Sequence, residues 1–293
     1  MSPTGVLAAD PPRLTTAEAE AVARSVFGVD GPARALVSER DQNFAIGGRW
    51  VLKVSNPAEE PAVVEMEVAA VERIYRLEPE LPVPLARLAL DGSPIGRAQV
   101  RDSEHLFRLL PLLPGRNARP GELDAGRIRE IGALVARVGL ALRGFFHPAA
   151  GRVILWDQQR LPLLFDNAAL VESGGRRDLL ERVIERFTER VLPAFPGLRA
   201  QVIHNDLTLD NLLVDGAGRV TGIIDFGDMA HTALVLDVPA TLQSLVRGRD
   251  DLFAVAEQFL AGFTSRVPLE AAEAELLGDL VAGRMAQTIL ISA

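Results

Sequence analysis

Cysteine is absent from this 293-residue chain, which excludes a disulfide framework and any thiolate zinc site. Lysine is almost absent: among 31 basic side chains only Lys53 is not arginine. A basic excess is missing as well, since 39 acidic residues leave a formal charge of −8. That deficit is shared equally between residues 1–110 and 111–293, and no nucleic-acid partner is expected from it. No apolar run approaches the ~18 residues that a membrane span needs, so no membrane partner is expected. The first 14 residues, MSPTGVLAADPPRL, lack a basic n-region and do not read as a signal peptide; the expected location is cytoplasmic. His105, His147 and His231 are scattered without a second ligand at metal spacing, and there is no internal repeat or low-complexity tract.

What is present divides by periodicity. Residues 1–12 are proline-rich and read as a frayed end. Residues 15–28 read as a short helix entered at Thr15 and ended by Gly28. Three strands are expected at 33–38, 43–46 and 49–54, the last two joined across Gly47-Gly48. A helix over 61–78 carries Val63, Val64, Val68, Val71 and Ile74 at helical spacing. Two more strands are expected, in 81–90 and 97–110. Beyond Pro114-Gly115 helical patterns take over at 122–144, 176–191, 250–265 and 269–292, interrupted by short strands at 211–214 and 220–224. The expectation is an α+β protein of two lobes: a small antiparallel sheet lobe with one main helix (1–110) and a larger helical lobe (111–293). The last helix places Leu276, Leu277, Leu280, Val281, Met285 and Ile289 on one apolar face that calls for a partner, within this chain or in a longer one.

The strongest chemical signal is VIHNDLTLDNLLV at 202–214, followed by GIIDFGD at 222–228. His204, Asp206 and Asn211 form H-x-D-x-x-x-x-N, and Asp225 follows in an Asp-Phe-Gly triplet, each half beside a strand. Phosphoryl transfer needs this set: one carboxylate to take the proton of the attacking hydroxyl, and an amide with a second carboxylate to hold Mg²⁺ on the phosphates. Lys53 lies on the third strand, where a compact ammonium can grip phosphates in a way a planar guanidinium does not. Glu65 and Glu67 on the next helix are its candidate partners, with Glu67 preferred. The loop Ser38–Phe44 lacks the glycines of a G-x-G-x-x-G loop; its backbone amides with Ser38, Gln42 and Asn43 are the candidate phosphate cradle. LLPLLPG, with Leu109, Pro111 and Leu112, sits where a hinge would face the nucleotide base. Trp156-Asp157 are candidates for an acceptor pocket, the ring face and the carboxylate together suiting an ammonium.

The order Lys53, Glu67, LLPLLPG, His204-Asn205-Asp206…Asn211, Ile224-Asp225-Phe226-Gly227-Asp228 resembles the aminoglycoside phosphotransferase and choline kinase-like superfamily over roughly residues 20–290. Within it, SERDQNF, FFHPAAGRVILWD and HNDLTLDN are similar to the hydroxylysine kinase-like branch. The chain departs from the family pattern at Ser38, where many members carry glycine. The resemblance implies a protein-kinase-like fold with ATP or GTP in the cleft between lobes. It also implies Asp206 as the base, Asn211 and Asp225 as Mg²⁺ ligands, Lys53 as the phosphate grip held by Glu67, and a structural Asp237. The implied acceptor is a hydroxyl on a small amine-bearing, cationic molecule: hydroxylysine, an amino alcohol, homoserine or an aminoglycoside. Some bacterial members of that branch continue into further domains, so a longer chain past Ala293 is one expectation. A nucleotide-binding pseudokinase or regulatory module is the other functional class open at this point. Retention of Lys53, Asp206, Asn211 and Asp225 together favours the enzyme.

Overall fold

The computed structural model describes residues 11–38, 40–171 and 174–293. Most of the segment read as a frayed end, and Glu39 of the Ser38–Phe44 loop, lie outside them. Helix α1 (Thr16–Phe27) begins at a capping box, in which Thr15 and Glu18 satisfy each other's backbone amides, and ends at Gly28 in a left-handed conformation, φ 64°. Strands β1 (Ala33–Leu36), β2 (Gln42–Ile46), β3 (Trp50–Val54), β4 (Gly96–Val100) and β5 (Ser103–Pro111) form an antiparallel sheet in the order β1-β2-β3-β5-β4. Successive side chains on a strand point to opposite faces. Phe44, Ile46, Leu52, Val54, Phe107 and Leu109 therefore meet Ala19, Val22, Ala23 and Phe27 of α1 in one buried core. Val51, Lys53, Arg108 and Leu110 face the other way, into a cleft.

Two expected strands differ. Residues 97–110 form a hairpin, β4 and β5, turning at Arg101-Asp102 with Arg101 at φ 55°. Residues 81–90 run as irregular chain, with one bridge between Arg87 and Leu109. Pro82 and Pro84 have no amide hydrogen to give a ladder, so the segment cannot pair along its length.

Helix α2 (Pro61–Leu77) crosses behind the cleft. Its buried Val63, Met66, Ala70, Val71 and Ile74 belong to the larger core, which also takes Ile128, Ile131, Val135 and Val138 of α3 (Ala125–Leu142). The larger core thus reaches across residue 110 to take in α2. Helix α4 (Gly175–Arg186) continues through a wide turn at Phe187–Val191. Strands β6 (Arg116–Asn117), β8 (Leu212–Val214) and β9 (Val220–Ile223) form one small sheet, and β7 (Ala200–Ile203) pairs antiparallel with β10 (Ala230–Ala233). The Asp206 loop leaves β7 and the Asp225 loop leaves β9, so the small sheets carry both chemical loops to one place. Helices α5 (Asp237–Val246), α6 (Leu252–Thr264) and α7 (Ala271–Ser292) complete the chain. Gly132 of α3 and Gly262 of α6 sit where an added Cβ would run into the other helix's backbone, so only glycine permits that crossing.

The buried face of α7 is the expected one over Leu276, Leu277, Leu280 and Val281, and departs from it in the last two turns. Leu276, Leu280, Gly283, Arg284, Gln287 and Leu290 are buried, whereas Met285 and Ile289 are 38% and 39% exposed. The helix finds its partners within the chain, against α4, α5 and the 3₁₀ segment Gln158–Leu170. Among the described residues no helix is long and apolar enough to cross a membrane.

Candidate active site

The loop after β7 is held in a conformation that few residues tolerate. Asn205 has φ 67° and Asp225 φ 60°, in the left-handed region where asparagine and aspartate are the commonest non-glycine occupants. One face of α5 fastens the Asp206 loop. Asp237 Oδ1 accepts the Asn205 amide at 2.7 Å, Thr241 Oγ1 donates to the Leu207 carbonyl at 2.7 Å, and Ser244 Oγ accepts the Leu209 amide at 3.1 Å. These residues follow one another at helical spacing, so a single helix face sets the loop. His204 is fully buried, its ring 4.6 Å from that of Phe226, and burial lowers its pKa to about 4. A neutral imidazole can accept the Asp206 amide at Nδ1, at 3.3 Å.

Asp206 is gripped at both oxygens. Asn211 Nδ2 donates to Oδ2 at 2.7 Å and Arg284 Nη2 to Oδ1 at 2.8 Å. Burial is the largest of the causes that together raise this carboxyl to about 8; Arg284 and the Asn211 bond oppose the rise, and the Asp228 and Asp225 charges add to it. Asp225 shows the opposite balance: the Lys53 ammonium holds its carboxyl well below the usual carboxylate range, with Arg40 assisting.

A cleft of about 660 Å³ lies between the sheet and the two loops, lined among others by Ser38, Asn43, Lys53, Leu112, Asn211 and Asp225. Lys53 Nζ lies 3.2 Å from Asp225 Oδ1 and 3.2 Å from Asp41 Oδ2. Glu67, expected to hold Lys53, instead forms a buried ion pair with Arg108. The strand register explains the difference: Arg108 on β5 stands directly opposite Lys53 on β3, and the fully buried guanidinium takes the carboxylate on α2. Gln42 is also displaced from its expected role, because its side chain accepts from the Leu14 amide and donates to the Leu14 carbonyl, at 2.7 and 2.9 Å. Leu109 is fully buried in the sheet core; strand alternation turns Leu110 and then Leu112 to the cleft instead. Asp157 accepts bonds from Thr232 Oγ1 at 2.8 Å and the Gln159 amide at 3.1 Å and is buried, so its carboxylate is structural.

Three participants carry no motif. Arg40, in the loop between β1 and β2, donates to Asp228 at 2.9 Å and lines the cleft. Arg108 has a readable signal, an arginine on the alternate face of an apolar strand. Arg284 has none, standing 78 residues from Asp206 in an apolar helix.

A divalent cation fits Asn211 and Asp225. Asn211 spends its amide hydrogens on Asp206, leaving its oxygen for a hard cation, and Asp225 is ionised, 48% exposed and on the same cleft wall. Mg²⁺ takes one or two protein oxygens together with phosphate rather than a full protein cage. Among the described residues there is no cluster of three or more His, Cys, Asp or Glu side chains able to hold a metal.

Comparison with known proteins follows the same lines. Residues 33–276 match the model of the phosphotransferase enzyme family. Hydroxylysine kinase of Mus musculus is 28% identical over 312 residues, covering 96% of this chain and 82% of the relative. Hydroxylysine kinase of Danio rerio is 27% identical over 301 residues, covering 96% and 84%. Among solved structures, an amicoumacin kinase in complex with AMP-PNP and Ca²⁺ superposes with a TM-score of 0.71 at 14% identity, covering 95% of this chain and 85% of that one. A microcompartment-associated aminopropanol kinase gives 0.64 at 21% identity, covering 95% and 94%. At those identities the structures establish the fold, which is that of the aminoglycoside-kinase type, and the sequence match over most of the chain establishes the membership: this protein belongs to the phosphotransferase enzyme family.

Proposed function

We propose that the protein is a small-molecule kinase that moves the γ-phosphoryl group of ATP or GTP onto a hydroxyl of an amine-bearing metabolite, with a hydroxylysine-like acceptor favoured. The observation that carries the reading is that Lys53, Asn211 and Asp225 line one cleft while Asn211 also holds Asp206, the set of groups that phosphoryl transfer requires. The near-full-length similarity to hydroxylysine kinases supports the acceptor class. In the division of labour that follows, residues 1–110 grip the nucleotide and residues 111–293 hold the acceptor and the base.

Lys53 draws the nucleotide phosphates toward the sheet, with Ser38 and Asn43 at the mouth of the cradle and Leu112 beside the base. Asn211 and Asp225 would hold Mg²⁺, which supplies charge neutralisation on the phosphates when bound. Asp206 orients the acceptor hydroxyl. As the acceptor oxygen bonds to γ-phosphorus, the bond from that phosphorus to the β–γ bridging oxygen breaks, the diphosphate leaves with the electron pair, and the hydroxyl proton passes to Asp206.

Nucleoside-diphosphate release tests this, with Mg²⁺, ATP and GTP supplied separately against hydroxylysine, homoserine, choline, ethanolamine and kanamycin. Turnover with one acceptor that disappears in D206N supports the reading. Tight nucleotide binding with no acceptor-dependent release would sink it in favour of a regulatory module.

A further inference from the structure

Helix α7 sends one side chain to the reaction centre, at a cost the fold has no packing reason to bear. Arg284 is the largest side chain that is completely buried. Burying a guanidinium costs several kcal/mol unless charge and donors are matched, and an apolar side chain of similar volume would fill the place without that penalty. Nε is buried without a partner, and the bonds of the two Nη groups show what the arginine is for. Nη2 donates to Asp206 Oδ1 at 2.8 Å, Nη1 donates to the Trp156 carbonyl at 2.8 Å, and the guanidinium lies 4.7 Å from the centre of the Trp156 ring.

The platform under Arg284 is itself fixed. Gln287 Nε2 donates to the Leu155 carbonyl at 2.5 Å, and Gln158 Nε2 donates to the Leu280 carbonyl at 3.0 Å. Residues 280, 284 and 287 lie on one helix face, so α7 is zipped to segment 155–158 on either side of the arginine. Gly283 makes room on the next position, where an added Cβ would meet the Phe187 ring at 2.6 Å. The guanidinium therefore arrives at Asp206 with its rotamer already decided.

We propose that Arg284 is the positioning residue for phosphoryl transfer: from α7 it clamps Oδ1 of Asp206 while Asn211 holds Oδ2, so the carboxylate meets the acceptor hydroxyl in one orientation. The inference rests on the kinase reading above. A carboxylate held at one oxygen alone can rotate about its last torsion; held at both it cannot. Neither Arg284 nor Trp156 lines the nucleotide cleft, so the clamp acts on the turnover step and not on nucleotide binding. Lysine is a poor substitute, because a point ammonium on a flexible stem does not span the Asp206 oxygen and the Trp156 carbonyl as a planar fork does.

R284A is the test, with the acceptor that the wild-type protein turns over. Expected is a fall in kcat of roughly 10²-fold, the size of effect that a misplaced reacting group produces. The acceptor KM and the calorimetric Kd for nucleotide should stay within about twofold. Millimolar guanidinium should restore kcat at least tenfold in R284A and leave the wild-type rate unchanged, and R284K should remain well below wild type. A kcat within threefold of wild type overturns the proposal. So does a loss that guanidinium fails to repair while nucleotide affinity and melting temperature fall together, since that is a folding role. A crystal structure of R284A decides the point without turnover: Asp206 in an unchanged, single rotamer overturns the clamp. Absence of turnover in the wild-type protein would instead count against the kinase reading, leaving that structure as the judge of Arg284.

Discussion

The two walls of the cleft are built on different plans. On the sheet side the charges share partners: Lys53 stands between Asp41 and Asp225, while Arg108 pairs with Glu67 and lies 3.7 Å from Asp41. On the loop side each group is held by a dedicated clamp, with Asp237, Thr241 and Ser244 on the backbone of the Asp206 loop and Asn211 and Arg284 on the carboxylate itself. A shared network is expected to lose part of its function when one member goes. A set of single clamps is expected to lose nearly all of it. Binding tolerates the first arrangement because a nucleotide offers many charged oxygens; a proton acceptor has one geometry, which suits the second.

The largest effect should come from Asp206 itself. D206N removes the proposed proton acceptor and, with a single oxygen left, can accept from only one of Asn211 and Arg284; kcat should fall roughly 10²–10⁴-fold. Nucleotide affinity, read by calorimetry, should change little. Loss of affinity comparable to the loss of rate would erase the contrast between the walls.

Glu67 comes next, because the structure and the sequence give it different partners. If it serves Arg108, E67Q leaves the buried guanidinium with Asp41 at 3.7 Å as its remaining carboxylate and should cost up to about 3 kcal/mol of stability. Denaturant midpoints measure that loss, and the E67M/R108M pair should recover most of it. A nucleotide KM raised tenfold with an unchanged midpoint would return Glu67 to Lys53.

The loop half of the candidate site was legible in the sequence for a physical reason. His204, Asp206, Asn211 and Asp225 sit on short loops bounded by strands, so their geometry is set by local spacing. The clamps were not legible, since they join distant segments: 78 residues separate Arg284 from Asp206, and 41 separate Arg108 from Glu67. Counting apolar positions on the last helix selects Met285 and Ile289, yet the fold buries Arg284 and Gln287, whose polar heads find partners only after packing. The β4–β5 turn escaped notice because Arg101 takes a left-handed conformation that arginine sequences do not advertise. Leu109 was misdirected by one residue, which on a strand reverses the face.

Asp237 allows the loop side to be probed through pH alone. Burial raises its carboxyl to about 7, against the Asn205 and His204 amides and Arg284, which lower it. Between about pH 4 and pH 7 the unfolded chain gives up this proton and the folded chain keeps it. The stability from this group is therefore complete below pH 4 and lost as pH rises through 7. D237N keeps an oxygen for the Asn205 amide and has no proton to lose. Its stability relative to wild type should rise by on the order of 3 kcal/mol between pH 4 and pH 8 in urea titrations. Buried His204, lowered to about 4, works in the opposite sense as pH falls below 6.5, but it is common to both proteins and cancels in the difference. A pH-independent difference would mean that Asp237 is ionised in the fold.

The smallest expected effect lies at the far end of the sheet lobe. Thr15 caps α1 by accepting the Glu18 amide at 3.2 Å, and Glu18 answers by accepting the Thr15 amide at 2.7 Å. T15A removes one half of that box and should cost about 1 kcal/mol. The α1 core touches the backs of β2, β3 and β5, whose cleft faces carry Lys53 and Arg108. Fraying one helical turn leaves the strand register, and with it the shared charge network, in place. Nucleotide affinity and kcat of T15A should therefore match wild type at 25 °C while its melting temperature falls by a few degrees. A drop in nucleotide affinity larger than the drop in stability would show that the sheet wall depends on a single support after all, as the loop wall does.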